Sequence, residues 1–136
     1  MSPILFADAI SQGKTIQVFN HGDMQRDFTY IDDIVEGVMR VLDKTATPEA
    51  NSQAPHRIFN IGNNQPEKLM DFIAMLENSF GKTAQKEFLP MQVGDVKATY
   101  ADTSRLENWV GFKPYTPLKV GVQRFVDWYK KYYNVS

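Results

Sequence analysis

The 136-residue sequence contains no cysteine, which excludes a disulfide framework and any thiolate metal centre. It also lacks a charge bias: 15 Lys and Arg against 16 Asp and Glu leave a net charge of −1. No global field gathers nucleic acid or an anionic membrane, so neither is an expected partner, and a bound anion must be met by individual residues. No apolar run approaches the roughly 18–20 residues needed to cross a bilayer. The N-terminus has no basic segment leading into a pure apolar run, because Asp8 and polar residues interrupt it. These absences make a cytoplasmic location the expectation. Neither G-x-G-x-x-G nor G-x-x-x-x-G-K occurs, so no recognisable phosphate-cradling loop is present. His21 and His56 stand in polar loops without Asp or Glu at ligand spacing, and no metal site is expected.

What is present fits one folded domain over residues 1–136. Apolar content is 43% and charged content 23%, both ordinary for a globular chain large enough to bury one core. The densest stretch is Arg26-Asp27-Phe28-Thr29-Tyr30-Ile31-Asp32-Asp33. It joins a permanent cation, an extended aromatic run and a paired-acid helix start within eight residues. A turn-rich loop, Asn20 to Gln25, precedes it.

Along the chain, Pro3 to about Gln12 predicts a short helix with Leu5, Ala9 and Ile10 inward and Gly13 as its stop. Ile16-Gln17-Val18-Phe19 predicts a strand, and Asp27 to Ile31 a second extended run. Whether the two pair as a hairpin stays open. Asp32 and Asp33 are expected to cap a helix, Asp33 and Glu36 in a capping-box spacing, with Ile34, Val38, Val41 and Leu42 as its apolar stripe. Lys44 to Pro55 reads as a loop, Arg57 to Gly62 as a short buried strand, and Pro66 as the first helical residue of the next helix. In that helix Leu69, Phe72, Ile73, Leu76 and Phe80 recur at helical spacing, with Gly81 as the cap. Lys86 to Leu89 predicts a strand, and Gln92 to Asp95 a loop. Asp102 is expected to cap a brief helix ending at Gly111. Thr116-Pro117 is expected to start the last helix, with Leu118, Val122, Phe125, Val126, Tyr129 and Tyr133 as its core stripe and its Trp and Tyr residues read as core. Alternating strands and helices make the fold class α/β.

Chemistry narrows to few residues. Arg26 ends a loop and matches phosphate oxygens as a bidentate fork; the alternative is a surface ion pair with Asp23, Asp27 or Asp32. Asp95, after Gly94, is either a sugar-hydroxyl acceptor or an ordinary turn residue. Phe19 either stacks on a ring or belongs to the core. Asp32-Asp33 read as helix-start acids rather than a catalytic dyad, and no nucleophile stands beside a base.

Taken in order, several motifs form a pattern. They are Ile16-Gln17-Val18-Phe19, Arg26-Asp27-Phe28 with Tyr30 and Asp32-Asp33, Phe59-Asn60-Ile61-Gly62, Gly94-Asp95, Tyr100-Ala101-Asp102, and Gly111-Phe112-Lys113-Pro114. The pattern resembles the C-terminal part of extended short-chain dehydrogenases acting on nucleotide sugars, and within them the UDP-glucuronate 4-epimerases of surface-polysaccharide pathways. Val18 to Gly22 leading into Met24 to Ile34 carries most of that closeness, with Leu89 to Gln92 and Gly94 to Val96 next.

The resemblance implies a small mixed α/β domain that binds the nucleotide sugar and lacks the family's main cofactor-binding sheet. It implies NAD as cofactor of the full-length enzyme, which takes a hydride from the sugar ring and returns it to the opposite face. No cofactor site is expected in this chain. The family's glycine-rich loop and Tyr–Lys catalytic pair lie in the N-terminal part, and neither G-x-x-G-x-x-G nor Tyr-x-x-x-Lys is expected in this chain, since Tyr129-Lys130, Tyr132 and Tyr133 do not supply that spacing. The expected partners are a UDP-sugar and an N-terminal NAD-binding domain, with self-association through exposed apolar surface, and the chain alone is expected to be inactive.

By the same resemblance Gln17, Val18 and Phe19 lie against uracil, Arg26 clamps the diphosphate, and Gln92, Val93, Gly94 and Asp95 form the loop holding phosphate and ribose. Related galactose epimerases have arginine where Gln92 stands, and a neutral amide does not replace that charge. A dehydratase or decarboxylase fragment, or a standalone non-catalytic nucleotide-sugar or protein-binding module, are the alternatives.

Overall fold

Apolar residues at 69, 72, 73, 76 and 80 fall on one side of a helix, and all five are buried in the computed structural model. The structure describes residues 3–48 and 53–135. Within the described residues the α-helices and strands follow in the order α1 (Pro3–Ser11), β1 (Thr15–Val18), β2 (Gln25–Asp27), α2 (Ile31–Leu42), β3 (Pro66–Lys68), α3 (Leu69–Phe80), β4 (Gln85–Phe88), α4 (Ser104–Val110) and α5 (Leu118–Tyr133). A 3₁₀ turn, Phe19–Gly22, follows β1. Two compact units arise, within 1–26, 66–99 and 117–136, and within 27–65 and 100–116.

In the first unit β1 pairs in parallel with β4, placing Thr15, Ile16, Gln17 and Val18 opposite Gln85, Lys86, Glu87 and Phe88. Parallel neighbours need a crossover, and here α3 lies between the two strands in sequence. Ile16 and Val18 face a core shared with Phe6, Ala7 and Ile10 of α1, the α3 stripe, and Val122, Val126 and Tyr129 of α5. The Tyr129 hydroxyl donates to Asp8 Oδ1 at 2.6 Å and lies 3.2 Å from Ser11 Oγ. Burial, reinforced by the Asp8 carboxylate, pushes that phenol upward. Gly81, at φ 67°, ends α3 in the left-handed conformation that suits glycine. A second two-stranded pairing joins β2 to β3, and Gln25 also bridges Ala98.

Several expectations are corrected. In α1 the inward side is Phe6, Ala7 and Ile10, while Leu5 is exposed. Two turns of helix can rotate onto whichever side finds partners. Phe19 leaves the strand for the 3₁₀ turn, because Asn20 and His21 both take φ 50°. The pairing of β1 and β2, left open by the sequence, is not a hairpin: their partners are β4 and β3. The run after Arg26 keeps strand pairing only to Asp27. Pro66 lies in β3 rather than opening a helix. Thr103 occupies the N-cap position of α4 without a side-chain cap; Asp102 instead accepts the Ser104 N–H at 3.0 Å, which holds its carboxyl below the usual range. In α5 the N-cap position is Pro117. Trp128, Tyr132 and Tyr133 are exposed there; Trp128 and Tyr132 stack with centroids 5.3 Å apart, and Tyr133 meets both edge to face. They are not core.

The second unit is built against the expected face of α2. Tyr30 is the N-cap residue, with no side-chain cap, so Asp32 and Asp33 lie inside the first turn. Asp33 is buried and accepts from Thr116 N and Thr116 Oγ1, each at 2.9 Å, and from Tyr115 N at 3.3 Å. Thr116 therefore serves Asp33 rather than capping α5. Glu36 pairs with Arg40 one turn on, at 2.6 Å, instead of closing a capping box. Gly37 lets the helix approach Ile61 and Phe112 closely. With Asp33 and Gly37 turned inward, Ile31, Val35, Val38, Met39 and Leu42 face outward at 46–71% exposure. The expected Ile34–Leu42 core stripe is thus only half met.

Arg57 to Gly62 forms no strand, because among the described residues no strand pairs with it, and Ile58 is 71% exposed. Arg57 instead sits over the Trp109 ring, 4.1 Å from its centroid. The expected 44–55 loop is irregular where described, and its residues 49–52 lie outside the described set.

Candidate functional site

The first unit holds a cavity of about 530 Å³. The edge strands contribute Thr15, Ile16 and Gln17 of β1 and Glu87 of β4 to its lining. Residue alternation along β1 leaves Thr15 and Gln17 exposed while Ile16 and Val18 are buried. Leu5, Phe6 and Ala9 of α1, with Phe19, Met24 and Leu69, add apolar wall. Gln92 and Asp95 complete the lining and border a shallower hollow formed by residues 92–95.

Arg26 lies next to this loop. Its Nη2 donates to Asp95 Oδ1 at 2.8 Å, while Nη1 donates to Gln25 O at 2.7 Å and Lys97 O at 3.3 Å. A guanidinium has five N–H donors; these three contacts leave Nε–H and one N–H on Nη2 for a ligand. The side chains of Arg26 and Asp95 are 14% and 25% exposed, so the pair is partly screened from water yet reachable. Asp95 Oδ1 also accepts its neighbour Val96 N–H at 2.8 Å, which leaves Oδ2 as its open acceptor among the described residues. Gly94 takes φ +85°, a conformation that turns the loop sharply.

The residues singled out from the sequence converge unequally. Gln17, Phe19, Gln92 and Asp95 line one cavity, and Arg26 is tied to its rim through Asp95. Val18 does not line it: its side chain is fully buried and its carbonyl accepts from Leu89 N–H at 3.0 Å. Val93 is completely exposed at the loop tip. Of the ion-pair partners open to Arg26 on the sequence, Asp23 goes to Lys97 at 2.6 Å, and Asp95 takes the arginine. Glu87, Thr15, Leu5 and Met24 were not anticipated. Glu87 enters through its register with Gln17, a pairing across 70 positions that no local pattern signals.

One Tyr-x-x-x-Lys spacing does occur, from Tyr115 to Lys119, and it corrects the expectation that the chain has none. Tyr115 precedes α5, which begins at Leu118, so the two residues lack the one-turn helical geometry that spacing would give inside a helix. Among the described residues no cluster of three or more His, Asp or Glu could hold a metal, and no helix is long and apolar enough to cross a membrane.

The family described as NAD dependent epimerase/dehydratase family matches residues 3–62. Protein CapI of Staphylococcus aureus is 44% identical over 144 residues, covering 98% of this chain and 43% of CapI. A probable UDP-glucuronate 4-epimerase of Rhizobium meliloti is 41% identical, covering 98% of this chain and 42% of that protein. Among solved structures, the UDP-glucuronic acid 4-epimerase of Bacillus cereus in complex with UDP-glucuronic acid and NAD superposes with a TM-score of 0.82 at 31% identity, over 98% of this chain and 40% of the other. The chain therefore spans less than half the length of these relatives.

Proposed function

We propose that this chain is the UDP-sugar-binding portion of a nucleotide-sugar 4-epimerase, with UDP-glucuronate as the substrate; the match of residues 3–62 to the NAD dependent epimerase/dehydratase family and the likeness to UDP-glucuronate 4-epimerases, of which the chain spans less than half, support this reading. The observation that carries this reading is the Arg26–Asp95 pair on the rim of the Gln17–Phe19 cavity. A cation with two donors open, an acid with one oxygen open and an apolar recess meet the three parts of a nucleoside diphosphate: diphosphate, ribose hydroxyl and base. Gln17 and Phe19 take the base, Asp95 the ribose and Arg26 the diphosphate, while Gln92 to Gly94 shape the loop around the phosphates. Gln92 adds hydrogen bonds but no charge, so Arg26 carries most of the phosphate attraction.

The described residues do not form an NAD site. β3 passes directly into α3 without a glycine loop, and the space beside Gly22, which follows β1, is filled by Met70, whose Sδ stands 2.8 Å from where a Cβ would be. No hydride-transfer step is assigned to this chain, and as a lone chain it is inactive. The second unit supports a partner: the outward apolar stripe of α2 offers a helix face to an NAD-binding portion.

Calorimetric or NMR titration of this chain with UDP, beside Arg26→Ala, tests the site. Binding that weakens by roughly tenfold or more in the variant is expected, the scale of a lost charge-assisted hydrogen bond. Equal affinity in both would remove Arg26 from the site.

A further inference from the structure

We infer that Glu87 selects the base, accepting the N3–H of uracil and turning away cytosine; this rests on the reading of the cavity as a UDP-sugar site. Glu87 stands directly opposite Gln17 in the parallel β1–β4 pairing, and both line the cavity. In-register neighbours lie about 4.8 Å apart, close enough for both side chains to address one edge of a planar ring.

Three observations give Glu87 this task. Among the described residues its carboxylate has no hydrogen bond or ion pair, whereas Glu77, on α3, is held by Lys86 and the Ala84 N–H. The cavity lining includes no cation, since Arg26 contacts its rim only through Asp95. A diphosphate is thus repelled from the β1–β4 end and drawn to the Arg26 end, leaving the neutral base beside Glu87. Leu5, Ala9 and Phe19 supply apolar surface for that base.

The chemistry of the edge then discriminates. An ionised carboxylate is an acceptor only, while the Gln17 carboxamide both donates and accepts. Uracil offers Glu87 a donor at N3 and offers Gln17 a carbonyl oxygen. Cytosine in the same pose turns an N3 lone pair toward the carboxylate, leaving two acceptors face to face. A purine replaces this edge with a larger ring system and is a separate comparison.

The test is titration of the intact chain with UDP, CDP and N3-methyl-UDP, for the parent and for Glu87→Gln, with circular dichroism confirming that the variant keeps its fold. The parent is expected to favour UDP over both CDP and N3-methyl-UDP by about tenfold, the scale of one hydrogen bond to a charged group. Glu87→Gln, able to donate as well as accept, is expected to lose most of the UDP-over-CDP preference. A parent that binds UDP, with a preference unchanged in Glu87→Gln, overturns the selection by Glu87 and leaves the UDP-sugar reading standing. A parent that binds none of the three overturns both.

Discussion

Arg26 Nη2 donates to Asp95 Oδ1 at 2.8 Å, joining two residues 69 positions apart at the rim of one cavity. The two side chains neutralise each other yet keep separate open groups, so their roles can be separated. Arg26→Ala is expected to weaken inorganic pyrophosphate roughly tenfold and uridine little. Asp95→Ala is expected to weaken uridine several-fold while pyrophosphate binding holds or rises, because the arginine loses its internal counter-charge. NMR titrations with the two half-ligands measure both. Parallel loss of both ligands in both variants would make the pair a single structural clip instead.

Asp33 accepts three hydrogen bonds from Tyr115 and Thr116 inside the second unit. Asp33→Ala leaves those donors buried without their acceptor and is expected to cost about 3 kcal/mol. Thr116→Val removes only the hydroxyl donor, but it too leaves a charged acceptor short, and about 1 kcal/mol is expected. Urea unfolding of both variants gives the comparison; similar small losses in both would show that the carboxylate is not the anchor.

Gly62 is required by space rather than by backbone conformation. A Cβ there would stand 2.6 Å from Ala101 Cβ and 2.7 Å from Asp27 Oδ2. That Asp27 carboxylate also receives the Asn64 and Gln65 N–H groups, so it cannot retreat without losing bonds. Gly62→Ala is expected to destabilise by about 1–3 kcal/mol, as overpacking does. Gly81→Ala meets open space but keeps φ +67°, for about 1 kcal/mol of conformational cost. Chemical unfolding midpoints with the order reversed would contradict the steric reading.

The Glu77 carboxyl titrates below its ordinary 4.5: burial raises it, but the hydrogen bond from Lys86, the Ala84 N–H and the Lys86 charge together outweigh burial. A depressed carboxylate stabilises the fold above its unfolded pKa, and that contribution is lost as pH falls through the folded value. Stability of the parent should therefore drop below about pH 4.5, and Glu77→Gln should flatten that part of the profile. Unfolding midpoints between pH 3 and 7 give the answer; identical slopes in parent and variant would sink it.

The outward stripe of α2 predicts concentration-dependent self-association of the isolated chain. Val35→Lys with Leu42→Lys changes two exposed side chains, so the fold should survive while association falls. Light scattering over a concentration series measures it, and a monomer at every concentration in the parent would count against the reading.

Much was legible along the chain. The spacing of Leu69, Phe72, Ile73, Leu76 and Phe80, followed by Gly81, determined α3 and its buried side, because helix periodicity and a left-handed cap are local properties. The Val122, Val126 and Tyr129 side of α5 followed in the same way; Arg26 and Asp95 stood out by residue type and loop position, and Gln17 only through the family resemblance. Tertiary structure decided the rest. α2 has an amphipathic pattern, but a pattern says only that one side seeks cover; Asp33 bonding to Thr116 and Gly37 closing on Phe112 decided which side turned inward. Trp128, Tyr132 and Tyr133 were read as core by their helical spacing and still face outward, because spacing alone does not say which residues a neighbour covers. The cavity itself depends on β1 meeting β4 in parallel, which brings Gln17 to Glu87, and on the loop that hands Asp95 to Arg26. Both are contacts across about 70 residues, set by the packing of α1, α3 and α5 rather than by any short-range signal.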